Sequence, residues 1–482
     1  MAFRALLTLV VTAAIAGLSL AGDPSYFRRN SGVSRADAQP LPADFSKANT
    51  VWRTPLLPGN STPCVAGDAI FLTNWDKAKK QLATVALDRD TGKLRWKRRC
   101  PAKRIEPFHP VGSPASSSCA CDGERVYAFF GSYGMLCYDL EGNLKWKKPM
   151  GPFQDEFGAS SSPVPADGKV FLNEDHDTDS FVVALDAKTG KQLWRTPRPG
   201  QTRSYASPVI WNVKGNKQLV CAGALKLTAY DLDTGKPIWW VRGLSRIVDV
   251  TPAIAGDTLY IATWTPGGDR SNRISMGPFA DALKQFDKNG DGQVAKSELK
   301  PGAVLSRFFR IDLNLDGQLD KKEWDAHARV FELAQNVAIA VRAGGKGDVT
   351  ESHVRWTHRR SLPTVPSPLV YRGVMYLIKD GGIITALNAK TGKPVKQARA
   401  KGRGNYYASP VAGDGNVYVS SERGVVTILK AGGPKSGFKI AGSHNFGERI
   451  MATPVIAGGR IYLRTDKALY CFAKNRLSSG IR

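Results

Sequence analysis

The fold class that the sequence predicts is all-β: an eight-bladed β-propeller closed by its N-terminal strand, with a small α-helical module inserted in blade five. Three observations predict it. A hairpin phrase recurs as ALDRDTGKLRW at 86–96, CYDLEGNLKW at 137–146, ALDAKTGKQLW at 184–194 and AYDLDTGKPIW at 229–239; at 386–396 it reads ALNAKTGKPVK and loses the tryptophan. A Ser or Thr followed by Pro opens a strand at Thr62, Ser162, Ser207, Thr251, Ser367, Ser409 and Thr453, with Ser118-Cys119 as an eighth mark. The marks lie 42 to 56 residues apart except for 116 residues between Thr251 and Ser367, which is one blade plus an insertion.

The retained residues have physical reasons. Asp and Thr hydrogen-bond their own backbone through a tight turn, and Gly supplies the positive φ before the next strand. Tryptophan then closes that strand against a neighbour. Proline cannot donate to a β ladder, so its place at each strand start marks an edge, as the channel-facing strand of a propeller blade has. The phrase TVWR at 50–53 reads as an outer strand without its blade, while 450–474 offers three strands without a fourth. Joining them completes blade eight and leaves no first or last edge open.

Strand, turn and tryptophan of this form resemble the repeats of pyrroloquinoline quinone (PQQ) dehydrogenases and of the BamB subunit of the outer-membrane barrel-assembly complex, over about 50–474. Both are eight-bladed propellers, so the resemblance implies the fold and leaves the activity open. PQQ dehydrogenases hold the quinone between a tryptophan and a ring of two adjacent cysteines, beside a calcium ion and an aspartate base. No two of the seven cysteines here are adjacent, so no catalytic residue carries over and PQQ is not expected as a cofactor.

Five segments follow. Residues 1–21 carry Arg4, an apolar run and a small-residue cleavage site, which reads as a signal peptide. Residues 22–49 read as a loose polar leader. The propeller occupies 50–264 and 337–482, and the insertion 265–336. Asp23 stands where a lipoprotein would need Cys, so the expectation is an exported, unlipidated protein, periplasmic or secreted, with no transmembrane span in the mature chain. An exported chain permits disulfides, although cysteines in strand phrases such as LVCAG and LYCFA read as small buried hydrophobes.

The chain carries 68 Lys+Arg against 42 Asp+Glu, a net charge of +26. The insertion is balanced, with 11 of each sign, so the excess lies on the propeller and leader. That favours anionic neighbours. No nucleic-acid module is legible and the basic residues read as scattered through turns, so nucleic acid is not an expected partner.

Within the insertion, DKNGDGQVAKSE at 287–298 and DLNLDGQLDKKE at 312–323 both match the twelve-residue EF-hand calcium loop. Calcium takes six to eight hard oxygen ligands, which this loop delivers at fixed offsets. Asp287, Asn289 and Asp291 would supply side-chain oxygens, Gln293 a carbonyl and Glu298 both carboxylate oxygens. Asp312, Asn314, Asp316, Gln318 and Glu323 fill the same roles in the second loop, so two Ca2+ sites are expected. Val294 and Leu319 are placed to pair as a short ribbon. The insertion replaces the turn between strands two and three of blade five, on the face that bears the inter-blade loops. Hung from one turn, it is expected to melt separately from the ring.

On that face Arg203, Arg246, Arg403 and Arg449 each precede the Ser/Thr-Pro mark of their blade, which suggests a ligand rim for carboxylate or phosphate. Asp175, His176, Asp177 and Asp179 read as a solvated acidic hairpin, with a second metal site as the alternative. The functional expectation is an exported calcium-binding propeller that binds or scaffolds a protein or anionic ligand of the cell envelope. A PQQ-dependent oxidoreductase and a polyanion or carbohydrate binder stay open as alternatives.

Overall fold

A computed structural model describes residues 24–33, 40–42, 44–153, 155, 157–269 and 276–474. The expected signal peptide lies outside the described residues. Eight antiparallel sheets are arranged as propeller blades, each running from an inner strand of two to five residues to an outer strand of five to eight. Blade one is Cys64–Ala66, Ala69–Asp76, Gln81–Asp88 and Leu94–Arg99. In blade eight, Thr50–Pro55 pairs antiparallel with Ala468–Ala473, so the two ends of the chain close the ring. Trp52, Ile70, Leu72, Leu469 and Cys471 share one apolar core across that seam.

The repeated turn behaves as its chemistry requires. Asp88 Oδ1 accepts the Thr91 backbone N–H at 2.9 Å and its hydroxyl at 2.8 Å, and Asp186 and Asp231 do the same for Thr189 and Thr234. The glycine of each turn does more than bend the chain. A Cβ on Gly92, Gly142, Gly190, Gly235 or Gly392 would sit 2.5 to 2.6 Å from the ring of Trp52, Trp96, Trp146, Trp194 or Trp356, each from the preceding blade. The indole N–H of each donates to a carbonyl in that same turn: Arg89, Leu140, Ala187, Leu232 and Ala389. Tryptophan and glycine therefore recur together because they are the two halves of one inter-blade joint.

The Ser/Thr marks form a second, inner ring. Backbone N–H groups of Thr62, Ser118, Ser162, Ser207, Thr251, Ser367 and Ser409 each donate to the hydroxyl of the next mark at 2.9 to 3.1 Å. Seven of the eight inner strand starts thus satisfy a buried donor with the neighbour's side chain.

Two features depart from the expectations. The described part of the leader is ordered and crosses the channel on the face opposite the insertion. Ser25 exchanges backbone hydrogen bonds with Cys121, Val33 bridges Ala412, and the buried Arg28 guanidinium donates to the carbonyls of Pro368, Pro410 and Ser31. The exposed edges of the inner strands supply the partners that a polar, aperiodic stretch cannot supply for itself. In blade five, the turn between strands three and four lacks the Thr-Gly-Lys phrase and reaches back to blade four. There Gly347–Asp348 pairs in parallel with Trp239 and Trp240. All seven cysteines are free and buried, and burial pushes the Cys100, Cys119 and Cys221 thiols up to about 12.

Candidate functional site

The insertion leaves blade five after Thr258–Thr263 and returns as Val337–Arg342, which pair with each other. At its neck Asn336 Oδ1 accepts the Thr265 N–H at 2.9 Å while its Nδ2 donates to the Thr265 carbonyl at 3.1 Å. Three helices follow: α1 Phe279–Phe286, α2 Ala303–Ile311 and α3 Lys321–Leu333. Phe279, Val294, Phe308, Ile311, Leu319 and Trp324 form its own core. Val294 and Leu319 pair as the expected ribbon between the loops.

Both loops are folded around their acidic side chains. In the first, Asp287 Oδ1 and Oδ2 accept the N–H groups of Gly290 and Gly292 at 2.7 and 3.0 Å, and Glu298 accepts those of Lys288 and Ala295 at 2.8 Å. Asn289 and Asp291 accept from Asp291 and Gln293. In the second, Asp312 accepts from Gly317, Asn314 from Asp316, Asp316 from Gln318, and Glu323 from Leu313 and Asn314. These bonds pre-set an oxygen-only donor set, which suits a hard cation. Asp312 Oδ1 is buried without a hydrogen-bond partner, an arrangement that a bound cation would relieve. Among the described residues no three His, Cys, Asp or Glu side chains converge as a site by themselves. EF-type loops also draw on amide and backbone oxygens, which here would be those of Asn289, Asn314, Gln293 and Gln318.

The module is seated on the ring and is no pendant. A Cβ on Gly267 would lie 2.6 Å from the ring of Phe331 on α3, and the Arg246 guanidinium stands 5.8 Å from that ring's centre. Gln335 donates its N–H to the Leu244 carbonyl at 3.0 Å and accepts from Arg359 at 2.7 Å. His327 of α3 faces the same seam, where burial and the nearby arginines push its pKa down to about 3 and hold it neutral.

The four rim arginines do not form one ring. Arg203 is buried and bonded bidentate to Asp177, Nε to Oδ1 at 2.7 Å and Nη2 to Oδ2 at 2.6 Å. Arg449 reaches Glu422 at 3.6 Å beside a smaller cavity, and Arg403 is exposed outside the central one. Arg246 alone of the four lines the central cavity, where α2 of the module contributes Arg310. The acidic hairpin is correspondingly not solvated. Asp175 and Asp177 are buried against Arg198 and Arg203, and only Asp179 is exposed, on Arg195. Neighbouring loops from the same blade supply these counter-charges, a contact that turn residues alone do not announce.

The central cavity, about 540 Å³, opens on the module's face above the hydroxyl ring. His109, Phe157, Tyr205, Asp249 and Tyr407 stand around it. Behind this wall lies an acid cluster that sequence reasoning missed. Asp155 accepts the Tyr205 hydroxyl at 2.5 Å, yet burial pushes its carboxyl up to about 6; Asp249 is pushed up to about 7 by burial and by Asp155. Glu106 and Glu174 are enclosed, and burial together with neighbouring acids holds both well above the usual carboxylate range. No motif brings these residues together in the sequence; four separate connections and strand ends do.

The comparisons with known proteins agree with this architecture. The family described as EF hand matches residues 279–300. Tetrathionate hydrolase of Acidithiobacillus ferrooxidans is 22% identical over 370 residues, covering 64% of this chain and 71% of that protein. Outer membrane protein assembly factor BamB of Yersinia pestis is 22% identical over 430 residues, 87% of this chain and 97% of that one. The crystal structure of BamB from Moraxella catarrhalis superposes with a TM-score of 0.52 at 12% identity, over 88% of this chain and all of that one. No described helix is long and apolar enough to cross a membrane, which says nothing of strands. With matches at 33–160, 83–267 and 333–477, the chain belongs to the family described as outer membrane protein assembly factor BamB, and it carries an EF-hand insertion in blade five.

Proposed function

We propose that this protein is an exported, calcium-binding docking propeller of the cell envelope whose working face is the one bearing the EF-hand module. The observation that carries the proposal is the seating of α3 on the inter-blade loops, which ties the calcium loops to the mouth of the central cavity through Arg246, Phe331 and Arg310. Calcium on Asp287, Asn289, Asp291, Gln293 and Glu298, and on Asp312, Asn314, Asp316, Gln318 and Glu323, would fix α2 and α3 and so shape that rim. Phe309, Leu315 and Leu333, three of the eight large apolar side chains exposed among the described residues, belong to the module and offer a partner protein an apolar contact. Arg246, Arg310 and Arg403 add attraction for an anionic group.

Calorimetry should count two calcium ions per chain, and Glu298→Gln with Glu323→Gln should remove both; unchanged stoichiometry would sink the assignment. Capture of envelope proteins by the immobilised chain should weaken with the same double variant and with chelator. Because one relative is a named hydrolase and PQQ dehydrogenases share the repeat, catalysis is the second reading. Quinone-dependent dye reduction by the purified protein with added PQQ and calcium would establish it in place of the docking role.

A further inference from the structure

We infer that the outer edges of blades one and two form a docking face for an anionic lipid bilayer surface. The two outer strands, Leu94–Arg99 and Leu144–Pro149, read LRWKRR and LKWKKP and contain no acid. They hold seven of the fourteen lysines and arginines found on the eight outer strands. Their side chains stand at matching heights. Lys97 and Lys147 lie opposite Val85 and Leu136, and Leu94 and Leu144 opposite Leu87 and Tyr138, at the same offsets from the paired Trp96 and Trp146. The strands belong to adjacent blades joined by Trp96, whose indole N–H donates to Leu140, and by Arg98, whose Nε donates to the Gly142 carbonyl at 2.6 Å.

The charge on this face is largely unspent. Arg95 is paired with Asp68 and Asp88, and Lys145 lies 4.0 Å from Asp139. Lys97, Arg99 and Lys147 are exposed and enter no ion pair among the described residues, with exposed Lys103 and Arg104 just beyond the first strand.

Charged side chains on sheet edges ordinarily guard against edge-to-edge association. That role accounts for some lysine on every edge; it does not account for half of the total on two adjacent blades. It accounts still less for leucine beside the lysine. Leu94 is 57% exposed and Leu144 51%, and Leu193 on the next outer strand is 45% exposed. Cations interleaved with protruding apolar side chains suit the headgroup region of an anionic bilayer, where lysine meets phosphate and leucine leaves water. A dissolved polyanion would engage the cations and gain nothing from the leucines. Docked in this way, the ring stands on its side wall and leaves the face with the EF-hand module open.

The test is co-sedimentation with large vesicles of phosphatidylcholine and phosphatidylglycerol at 7:3, and of phosphatidylcholine alone, in 0.1 M salt. The protein should bind the mixed vesicles and not the neutral ones. Each charge near an anionic surface is worth about fivefold in affinity, so Lys97→Ala/Arg99→Ala/Lys147→Ala should weaken binding by about a hundredfold. Removing equally exposed charges on blades six and seven, Lys390→Ala/Lys393→Ala/Lys439→Ala, should change it by less than about threefold on the same scale. Leu94→Ser/Leu144→Ser, which leaves the charge intact, should weaken it by about fivefold or more from lost apolar contact. Lys97→Arg/Lys147→Arg should bind like the parent, and thermal melting should show all variants folded. Equal losses from the two triple variants would reduce the attraction to diffuse charge. Parental binding by the leucine variant, with heparin or DNA held by the same cations, would make the site one for a soluble polyanion. Either result overturns the inference.

Discussion

The joint between tryptophan and glycine can be separated from the backbone geometry of glycine within one blade. Gly168 and Gly190 both sit in turns of blade three with φ of 72°, but a Cβ on Gly168 meets nothing within 4 Å, whereas one on Gly190 lies 2.6 Å from Cδ2 and Cε3 of Trp146. Alanine at either position pays the left-handed backbone penalty of about 1 kcal/mol, and the entropy lost from the unfolded chain is the same for both. At Gly190 the indole must in addition retreat by about 1 Å to reach ordinary contact distance. It is held by its bond to the Ala187 carbonyl at 3.0 Å and by the Tyr127 ring at 5.9 Å, so the retreat strains a packed joint. Overpacking of this kind costs about 1 to 3 kcal/mol. Gly190→Ala should therefore lose about 1 to 3 kcal/mol more than Gly168→Ala. Urea unfolding followed by far-ultraviolet circular dichroism gives the two midpoints, and tryptophan fluorescence reports the displaced ring. Losses that agree within about 0.5 kcal/mol, inside the scatter of surface substitutions, would refute the steric account of why the two residues recur together.

Three further outcomes follow from individual residues. Leu315 holds φ of 61° in the second EF-hand-type loop, where the first loop has Gly290 at 74°, and its side chain is exposed; Leu315→Gly should stabilise the module by about 1 kcal/mol and, under the calcium assignment proposed above, tighten calcium binding in a titration. Asp155, raised to about 6 from roughly 3.9 in the unfolded chain, takes up a proton on folding, so its contribution is present below about pH 4 and is lost as pH rises through about 6. Asp155→Asn, which can still accept from Tyr205, should flatten the stability profile between these values and raise stability at pH 7.5 by about 2 kcal/mol, read from urea midpoints across pH. Asp175 receives Arg198 Nε at 2.6 Å and Nη2 at 2.9 Å with both side chains enclosed. Asp175→Asn should cost about 3 to 5 kcal/mol in the same assay, and Asp175→Leu with Arg198→Met distinctly less, because the pair removed together leaves no orphaned charge.

Much of this fold is written in the sequence because each blade depends on chemistry a few residues long. Asp186 and Thr189 make their turn locally, Gly190 admits the tryptophan, and Ser207 opens the next strand, so repetition of the phrase counts the blades and fixes where blade eight must close. The EF-hand loops are legible for the same reason: the acidic and amide side chains from Asp287 to Glu298 lie within one bend of chain. What only the tertiary structure decides is which charges meet. Arg203 reads like Arg246 in sequence, yet one is buried against Asp177 and the other lines the cavity, because loops from a single blade fold back differently on their neighbours. Glu106, Asp155 and Glu174 become one buried cluster, Arg28 reaches the carbonyls of Pro368 and Pro410, and Lys97 and Lys147 take matching positions on adjacent blades. Turn chemistry acts over a few bonds and repeats; charge pairing acts through space, between residues whose separation in sequence carries no trace of their separation in the ring.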